Sequence, residues 1–315
     1  MIELLSYFTT PTKRFFILYL VSAGIIALFY LWLQNKKVTL STARAYWLHP
    51  SAVLDYHYFI VAGLIKTYLV VPLIISAKSI VLWVNQACLD TFGIVYLPSV
   101  SSETVMVLYT LTLFIVSDFS RYWLHRAMHS IPLLWTFHKV HHSAEALNPA
   151  TFYRVHPVEN FLFGLRYAVV VGGVTGVFIY LFGAKVQLYD ILGANALLFT
   201  FNFIGGNLRH SHIELSYPAI MEKLFISPRQ HQLHHSYHFT RFNYGGYLAI
   251  WDTIFDTLKA SAEATRSPYG LGEEGNRHYR RLSALLFTPL IEVYKNGKKK
   301  KSSELLAKTV RDTSY

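Results

Sequence analysis

The chain has 315 residues, 53% of them hydrophobic and only 15% charged, against roughly 25% charged in an ordinary soluble domain. That balance predicts an all-α membrane protein. A net charge of +11 would suit nucleic acid if it formed a patch, but the basic residues gather in loops beside apolar runs, which argues against that partner. A single cysteine, Cys88, excludes an internal disulfide framework and any thiolate-rich zinc or iron–sulfur site.

In chain order, membrane spans are expected at Phe15–Gln34, Tyr58–Val84, Thr104–Trp123 and Phe161–Gly183, each near or above the ~20 apolar residues that cross a bilayer. A further apolar run, Val186–Ile204, follows so closely that it would form a hairpin with the fourth, giving four or five spans. The first run is too long for a secretory signal and lacks a small-residue cleavage site before Asn35–Lys37, so it reads as an anchor. Lys36, Lys37 and Arg44 follow the first span, and Arg121, Arg126, Lys139 and Arg154 follow the third, whereas Asn85–Glu103 contains neither Lys nor Arg. This asymmetry places the N-terminus outside and the later loops and C-terminal region in the cytoplasm. The run Lys295–Ser303 reads as a solvated tail or as an attraction to anionic headgroups. With no repeat or evident linker, residues 1–315 form a single membrane-embedded domain.

The segment "DFSRYWLHRAMHSIPLLWTFHKVHHS", from Asp118 to Ser143, holds five histidines. His125 and His129 are spaced i, i+4, so a helix leaving the membrane carries both on one face. Ser130 and Pro132 suit a new helix start, after which His138, His141 and His142 fall at i, i+3, i+4. The spacing returns in "ISPRQHQLHHS", where Ser227 is an N-cap candidate, Pro228 the first helical residue, and His231, His234 and His235 share a face. A lone histidine is usually a satisfied core residue. Eight imidazoles crowded on three faces would, without metal, leave nitrogens unpartnered or repel one another when protonated. Neutral imidazole is instead a good ligand for Fe, Zn, Cu or Ni.

Eight ligands exceed the needs of one ion, so two metals are expected. A metalloprotease zinc calls for HExxH, and "HRAMH" has no such glutamate. A haem pair needs histidines facing each other across spans. Two histidine-held irons that use dioxygen fit best, with a membrane zinc hydrolase and a histidine-rich metal- or haem-binding electron carrier as the competing readings.

The three boxes "HRAMH", "HKVHH" and "HQLHH", with "DFSRYWLHR", "RVHPVE", "RHSH" and "NYGGYLAIWDTIFDT" around them, resemble the fatty acid hydroxylase/sterol desaturase superfamily of integral-membrane non-haem di-iron enzymes. The resemblance covers roughly residues 100–260, leaving 261–315 as a basic C-terminal region; Asp256 departs from it, since the family often has glycine there. It implies about four transmembrane helices beneath a cytosolic helical cap holding the dimetal site. It also implies O2-dependent hydroxylation or desaturation of a sterol, fatty acyl or related membrane lipid, with O2 as co-substrate and two iron ions, which zinc can replace in purified protein. The chain shows no cytochrome-b5-like "HPGG" and no flavin or nicotinamide fingerprint; "GGVTG" at Gly172–Gly176 reads as close helix packing. Electrons would therefore come from an external donor of cytochrome b5 or ferredoxin type with its reductase.

On this resemblance the metal ligands and catalytic residues are His125, His129, His138, His141, His142, His231, His234 and His235. His210 is added as a ninth ligand because the family's commoner "HSN" form keeps the first histidine; His212 and His156 stay open as a tenth. Glu159 could orient a ligand imidazole by accepting its second N–H. Asn207 shares a helical face with His210 and Glu214, and Asn243 either bonds a ligand or water near the metals or forms a turn. Asp118 either orients a ligand or pairs with Arg121. His49, His57, His238 and His278 match no box and read as structural or interfacial.

Overall fold

A computed structural model of the protein describes residues 2–97, 99–263 and 267–312, with side chains from residue 5 to residue 298 within those stretches. Helix is the dominant structure among the described residues. Helices α1 (Ile2–Thr9), α2 (Ile17–Leu33), α3 (Leu40–Trp47) and α4 (Pro50–Ile65) precede α5 (Ala77–Phe92), α6 (Ser102–Ser130), α7 (Pro132–His142) and α8 (Pro157–Phe182). A two-stranded hairpin, β1 (Asp190–Ile191) and β2 (Ala194–Asn195), then leads to α9 (Ala196–Phe203), α10 (Ala219–Glu222), α11 (Pro228–His234), α12 (Ile250–Ile254), α13 (Gly272–Arg277) and α14 (Leu282–Asp312).

The helix starts follow local chemistry. Ser76 and Ser101 cap α5 and α6 through their hydroxyls, which accept from Ser79 N–H and Thr104 N–H. His49 and His156 serve α4 and α8 in the same way, each with proline at the first helical position. His156 thus caps a helix rather than joining a metal: its Nδ1 accepts from Val158 N–H at 3.1 Å and its Nε2 donates to the Leu286 carbonyl at 3.0 Å.

Three stretches have the length and apolarity to cross a membrane: Pro50–Phe92, Ser102–Ser130 and Pro157–Lys185. The last two have 29 residues each, or about 43 Å of helix, enough to traverse a ~30 Å hydrocarbon core and continue into the cap. The span expected at Tyr58–Val84 is instead broken, passing through a π-turn at Lys66–Val70 and a 3-10 turn at Val71–Leu73 before Ser76 restarts the helix. Pro72 accounts for the break, since it offers no N–H to the ladder. Helix α4 belongs to the cap: its Tyr58 and Ala62 pack with Val140, Tyr279 and Leu285. Its Asp55 receives Arg154 at 2.9 Å, Asn148 at 2.9 Å and Thr151 at 2.6 Å.

Two expectations are corrected by length. Val186–Ile204 is no span: it folds as the β-hairpin and the eight-residue α9, only about 12 Å of helix. The first run gives the 17-residue α2, about 25 Å and so at the lower limit for spanning. One face of α2 packs through Ala23 against Leu208 and Ile213. The opposite stripe of Leu18, Val21, Ile25, Leu28 and Trp32 is exposed. Together with the bare apolar flanks of α5, α6 and α8, this makes an all-α membrane fold whose outer surface suits lipid.

Helices α5 and α8 touch backbone to backbone. A Cβ at Gly172 would lie 2.5 Å from the Ile80 Cβ, and one at Gly176 would lie 2.8 Å from that of Val84, so the glycines of "GGVTG" permit the close approach. The basic run Lys295–Ser303 ends on α14, where side chains from residue 299 onward lie outside the described residues.

Candidate metal centre

Four elements deliver the histidines. The last two turns of α6 carry His125 and His129. Helix α7 starts at Pro132 with Ile131 at its N-cap and no side-chain cap; Ser130 closes α6 instead, its hydroxyl donating to the Arg126 carbonyl at 2.8 Å. Helix α11 starts as its sequence suggests, with Ser227 as N-cap, Pro228 as its first residue, and Gln230 completing a capping box with Ser227. The fourth element is a 3-10 turn, Gly206–His210, entered through Gly205 at φ +111°, a left-handed conformation that favours glycine.

These elements gather nine imidazoles into two groups, His125, His129, His138, His142 and His234 in one, His141, His210, His231 and His235 in the other, with the ligand atoms of each within 4.8 Å of one another. The i, i+3, i+4 triplets do not act as units. Each gives its i+3 member to one group and its i, i+4 pair to the other: His138 and His142 stand apart from His141, as His231 and His235 stand apart from His234. The two groups therefore exchange ligands across the α7–α11 contact, and the His142 and His235 rings stack at 4.6 Å.

The protonation pattern tests whether cations fit. His125 Nδ1 lies 2.8 Å from the Tyr244 carbonyl and His234 Nδ1 lies 2.7 Å from the Phe242 carbonyl. A carbonyl only accepts, so both Nδ1 atoms donate, and in the neutral rings both Nε2 atoms are bare lone pairs. Those two Nε2 atoms are 3.1 Å apart. His138 Nε2 stands 3.1 Å from His125 Nε2, and in the second group His210 Nε2 lies 3.1 Å from His235 Nε2 and 3.2 Å from His231 Nε2. Facing lone pairs repel unless a cation lies between them, and ligands about 2.1 Å from one ion leave separations of about this size. Among the described residues the buried His129 Nε2, both nitrogens of His142, and Nδ1 of His231 and His235 have no hydrogen-bond partner. Burial, reinforced by neighbouring imidazoles, holds His142, His234 and His235 well below the usual histidine range, so the rings stay neutral and ready to ligate.

Around this core, carboxylates and carbonyls fix ring orientation. Glu159, in the first turn of α8, sits 2.9 Å from His138 Nδ1 and is itself buried. Asp118 neither orients a histidine directly nor forms an ion pair with Arg121: its carboxylate accepts from Tyr247 N–H, Leu248 N–H and Trp251 Nε1–H at 2.9, 3.0 and 3.0 Å. Asp252 accepts from Tyr244 N–H and Gly245 N–H, both at 2.8 Å. These two acids clamp the loop whose Tyr244 carbonyl holds His125. Asp252 and the carbonyls were not anticipated from sequence. The adjacent glycines were the available signal, because a Cβ at Gly245 or Gly246 would lie 2.8 Å from Asp252 Oδ2 or 2.7 Å from Asp118 Oδ1.

Asn207 and Asn243 do not touch the imidazoles. Asn207 donates to the Arg14 carbonyl at 3.0 Å. Asn243, at φ +59°, donates to the Gln230 and Lys259 carbonyls and accepts from Lys259 N–H. It is the turn residue of its alternative, locked by backbone partners. His212 belongs to neither group; its ring lies 4.0 Å from that of Tyr46. His49, His57, His238 and His278 also lie outside both groups. Asp256 adopts φ +55°, which explains why glycine is favoured at that turn.

Residues 110–257 match the fatty acid hydroxylase family. The chain is 27% identical to human alkylglycerol monooxygenase over 161 residues, which are 50% of this chain and 32% of that protein. It is 27% identical to ornithine lipid hydroxylase OlsE of Rhizobium tropici over 159 residues, 50% of this chain and 44% of the relative. Human lathosterol oxidase is 26% identical over 143 residues, 45% of this chain and 42% of the relative. The chain thus spans less than half the length of each of these relatives. No solved structure matches. The matched segment contains all three histidine boxes, and over it the chain is similar to the fatty acid hydroxylase family and to relatives named for the oxidation of lipids.

Proposed function

We infer that this protein is a non-haem di-iron enzyme that hydroxylates or desaturates a membrane lipid at an unactivated C–H bond, using O2 and electrons from an external donor. The observation that carries this reading is the pair of bare Nε2 atoms on His125 and His234, 3.1 Å apart in a buried site. Among the described residues both groups consist of imidazoles alone, which suits iron, and the buried Glu159 carboxylate is engaged with His138 Nδ1 at 2.9 Å rather than standing free as a zinc hydrolase's base. Two irons held there would supply the O2-dependent oxidising power.

The chain's own residues define the rest of the mechanism. Glu159 and the Tyr244 and Phe242 carbonyls hold His138, His125 and His234 with Nε2 directed inward, which favours one tautomer and strengthens the ligand. Burial of the ligand set excludes bulk water from the place where the irons would be held. The Lys/Arg asymmetry between loops supports a cytosolic cap, which a cytochrome b5 or ferredoxin-type donor could reach. Hydroxylation is the simpler outcome because it requires one C–H bond to be positioned, and desaturation requires two.

Purified protein should hold two iron equivalents, one for each imidazole group, and with a reductase system and labelled O2 should place label in a lipid hydroxyl. An unlabelled new double bond would assign the desaturase form. A stoichiometry of one metal or none after purification under reducing conditions would overturn the dimetal reading.

A further inference from the structure

Two cavities share a wall at His212 and Ile213, just after His210 in the chain. One, of about 720 Å³, is lined almost wholly by apolar surface from α1 to α4 and from the turns at Pro149–Tyr153 and Gly206–His210. Its wall includes Asn207, Leu208 and Ser211, which flank His210 in sequence. Its rim carries the exposed Phe8, Trp47 and Ile60, so it opens toward an apolar exterior. The other, of about 850 Å³, has a mixed lining in which Lys36, Arg229 and Arg280 stand with Glu145, Glu214 and Glu273. His212 and Ile213 line both, and the Tyr46 ring leans on His212 at the junction. A cavity of this size with an apolar body and a few converging polar groups is the usual form of a small-molecule site.

The charges select the head. Arg229 pairs with Glu214 at 2.9 Å and Arg280 with Glu145 at 3.1 Å, while Glu273 is neutralised by Arg277 at 3.1 Å. Lys36 has no carboxylate partner among the described residues, so this charged compartment keeps one cation to offer. A sterol, with a single hydroxyl, has nothing to place against two ion pairs and a free ammonium.

The geometry points to a two-compartment substrate site for a chain lipid whose head carries an anionic group: the alkyl or acyl chain lies in the apolar cavity along α2, the head rests beside Lys36, and Tyr46 and His212 mark the boundary. The assignment rests on the lipid-oxidase reading and names its substrate class. Most of the apolar wall lies before residue 110, outside the segment matching the family, so this chain's own N-terminal helices choose the lipid.

Two substitutions away from the metal ligands test it. Gly24 lines the apolar cavity, and a Cβ added there meets nothing within 4 Å. Gly24→Phe should therefore fill the chain compartment without disturbing α2. Lys36→Glu reverses the charge at the head. Binding to full-length protein in detergent would be measured by titration with an anionic lysophospholipid, a neutral monoalkylglycerol and cholesterol, with metal content determined on the same samples. Gly24→Phe should weaken both chain lipids roughly tenfold or more, since each displaced methylene is worth about 0.8 kcal/mol. Lys36→Glu should weaken only the anionic lipid, by about fivefold. Tighter binding of cholesterol than of either chain lipid, or chain-lipid binding untouched by Gly24→Phe, would overturn the assignment even with both metals in place. Absence of metal with the lipid preferences intact would instead sink the oxidase reading and leave the lipid site standing.

Discussion

Replacing His141 by alanine separates the two metal groups more sharply than any other single change. His141 is one of four imidazoles in its group, with His210, His231 and His235, whereas its sequence neighbour His142 is one of five in the other. Four protein ligands together give about 10–16 kcal/mol of metal affinity in structural zinc sites, so one of four is worth about 2.5–4 kcal/mol, or roughly a hundred- to thousandfold in Kd. His142→Ala still leaves four imidazoles and should lose far less. The measurement is metal content after dialysis against graded chelator, with membrane insertion checked by detergent gel filtration. The His141→Ala protein should fall to one equivalent under conditions where the parent and His142→Ala hold two, and lipid oxidation should be lost. Two equivalents at parental affinity in His141→Ala, or equal losses in both variants, would refute the division of the triplet between two ions.

Tight packing of α5 on α8 makes Gly176→Val an overpacking change: its Cβ would meet Val84 at 2.8 Å, costing about 1–3 kcal/mol and lowering the thermal midpoint in detergent. Gly173→Val, where nothing lies within 4 Å, is the control and should shift it little; equal shifts would remove the packing argument. Acid should destabilise the metal-free protein. Burial pushes His138 down to about 3 from 6.5, so between those values the unfolded chain binds more protons than the folded one, and stability present near neutral pH is lost as pH falls through that window. From pH 7 to pH 5 His138 alone accounts for about 2 kcal/mol, and a thermal midpoint unchanged over that interval would show that the ring is not held neutral.

The sequence alone determined the class of protein and the kind of site. Low charge, long apolar runs and three histidine clusters with helical spacing are local properties, and helical period, capping and membrane length act on local sequence. Ser227 and Pro228 announced α11, and the glycines of Gly172–Gly176 announced a close helix contact. Val186–Ile204 misled because apolarity over a run of residues does not say whether a helix persists; a hairpin and a two-turn helix are equally apolar. Same-face spacing misled in a subtler way. Residues at i, i+3 and i+4 lie close together, but a face about 100° wide can look at two ions at once, and which one each ring meets depends on the neighbouring helix. The assignment of His141 against His138 and His142, the carbonyls that turn His125 and His234, and the clamping of their loop by Asp118 and Asp252 join residues more than a hundred positions apart or on separate loops. Only the tertiary packing of α6, α7 and α11 brings those atoms within hydrogen-bond reach, so only the folded chain decides them.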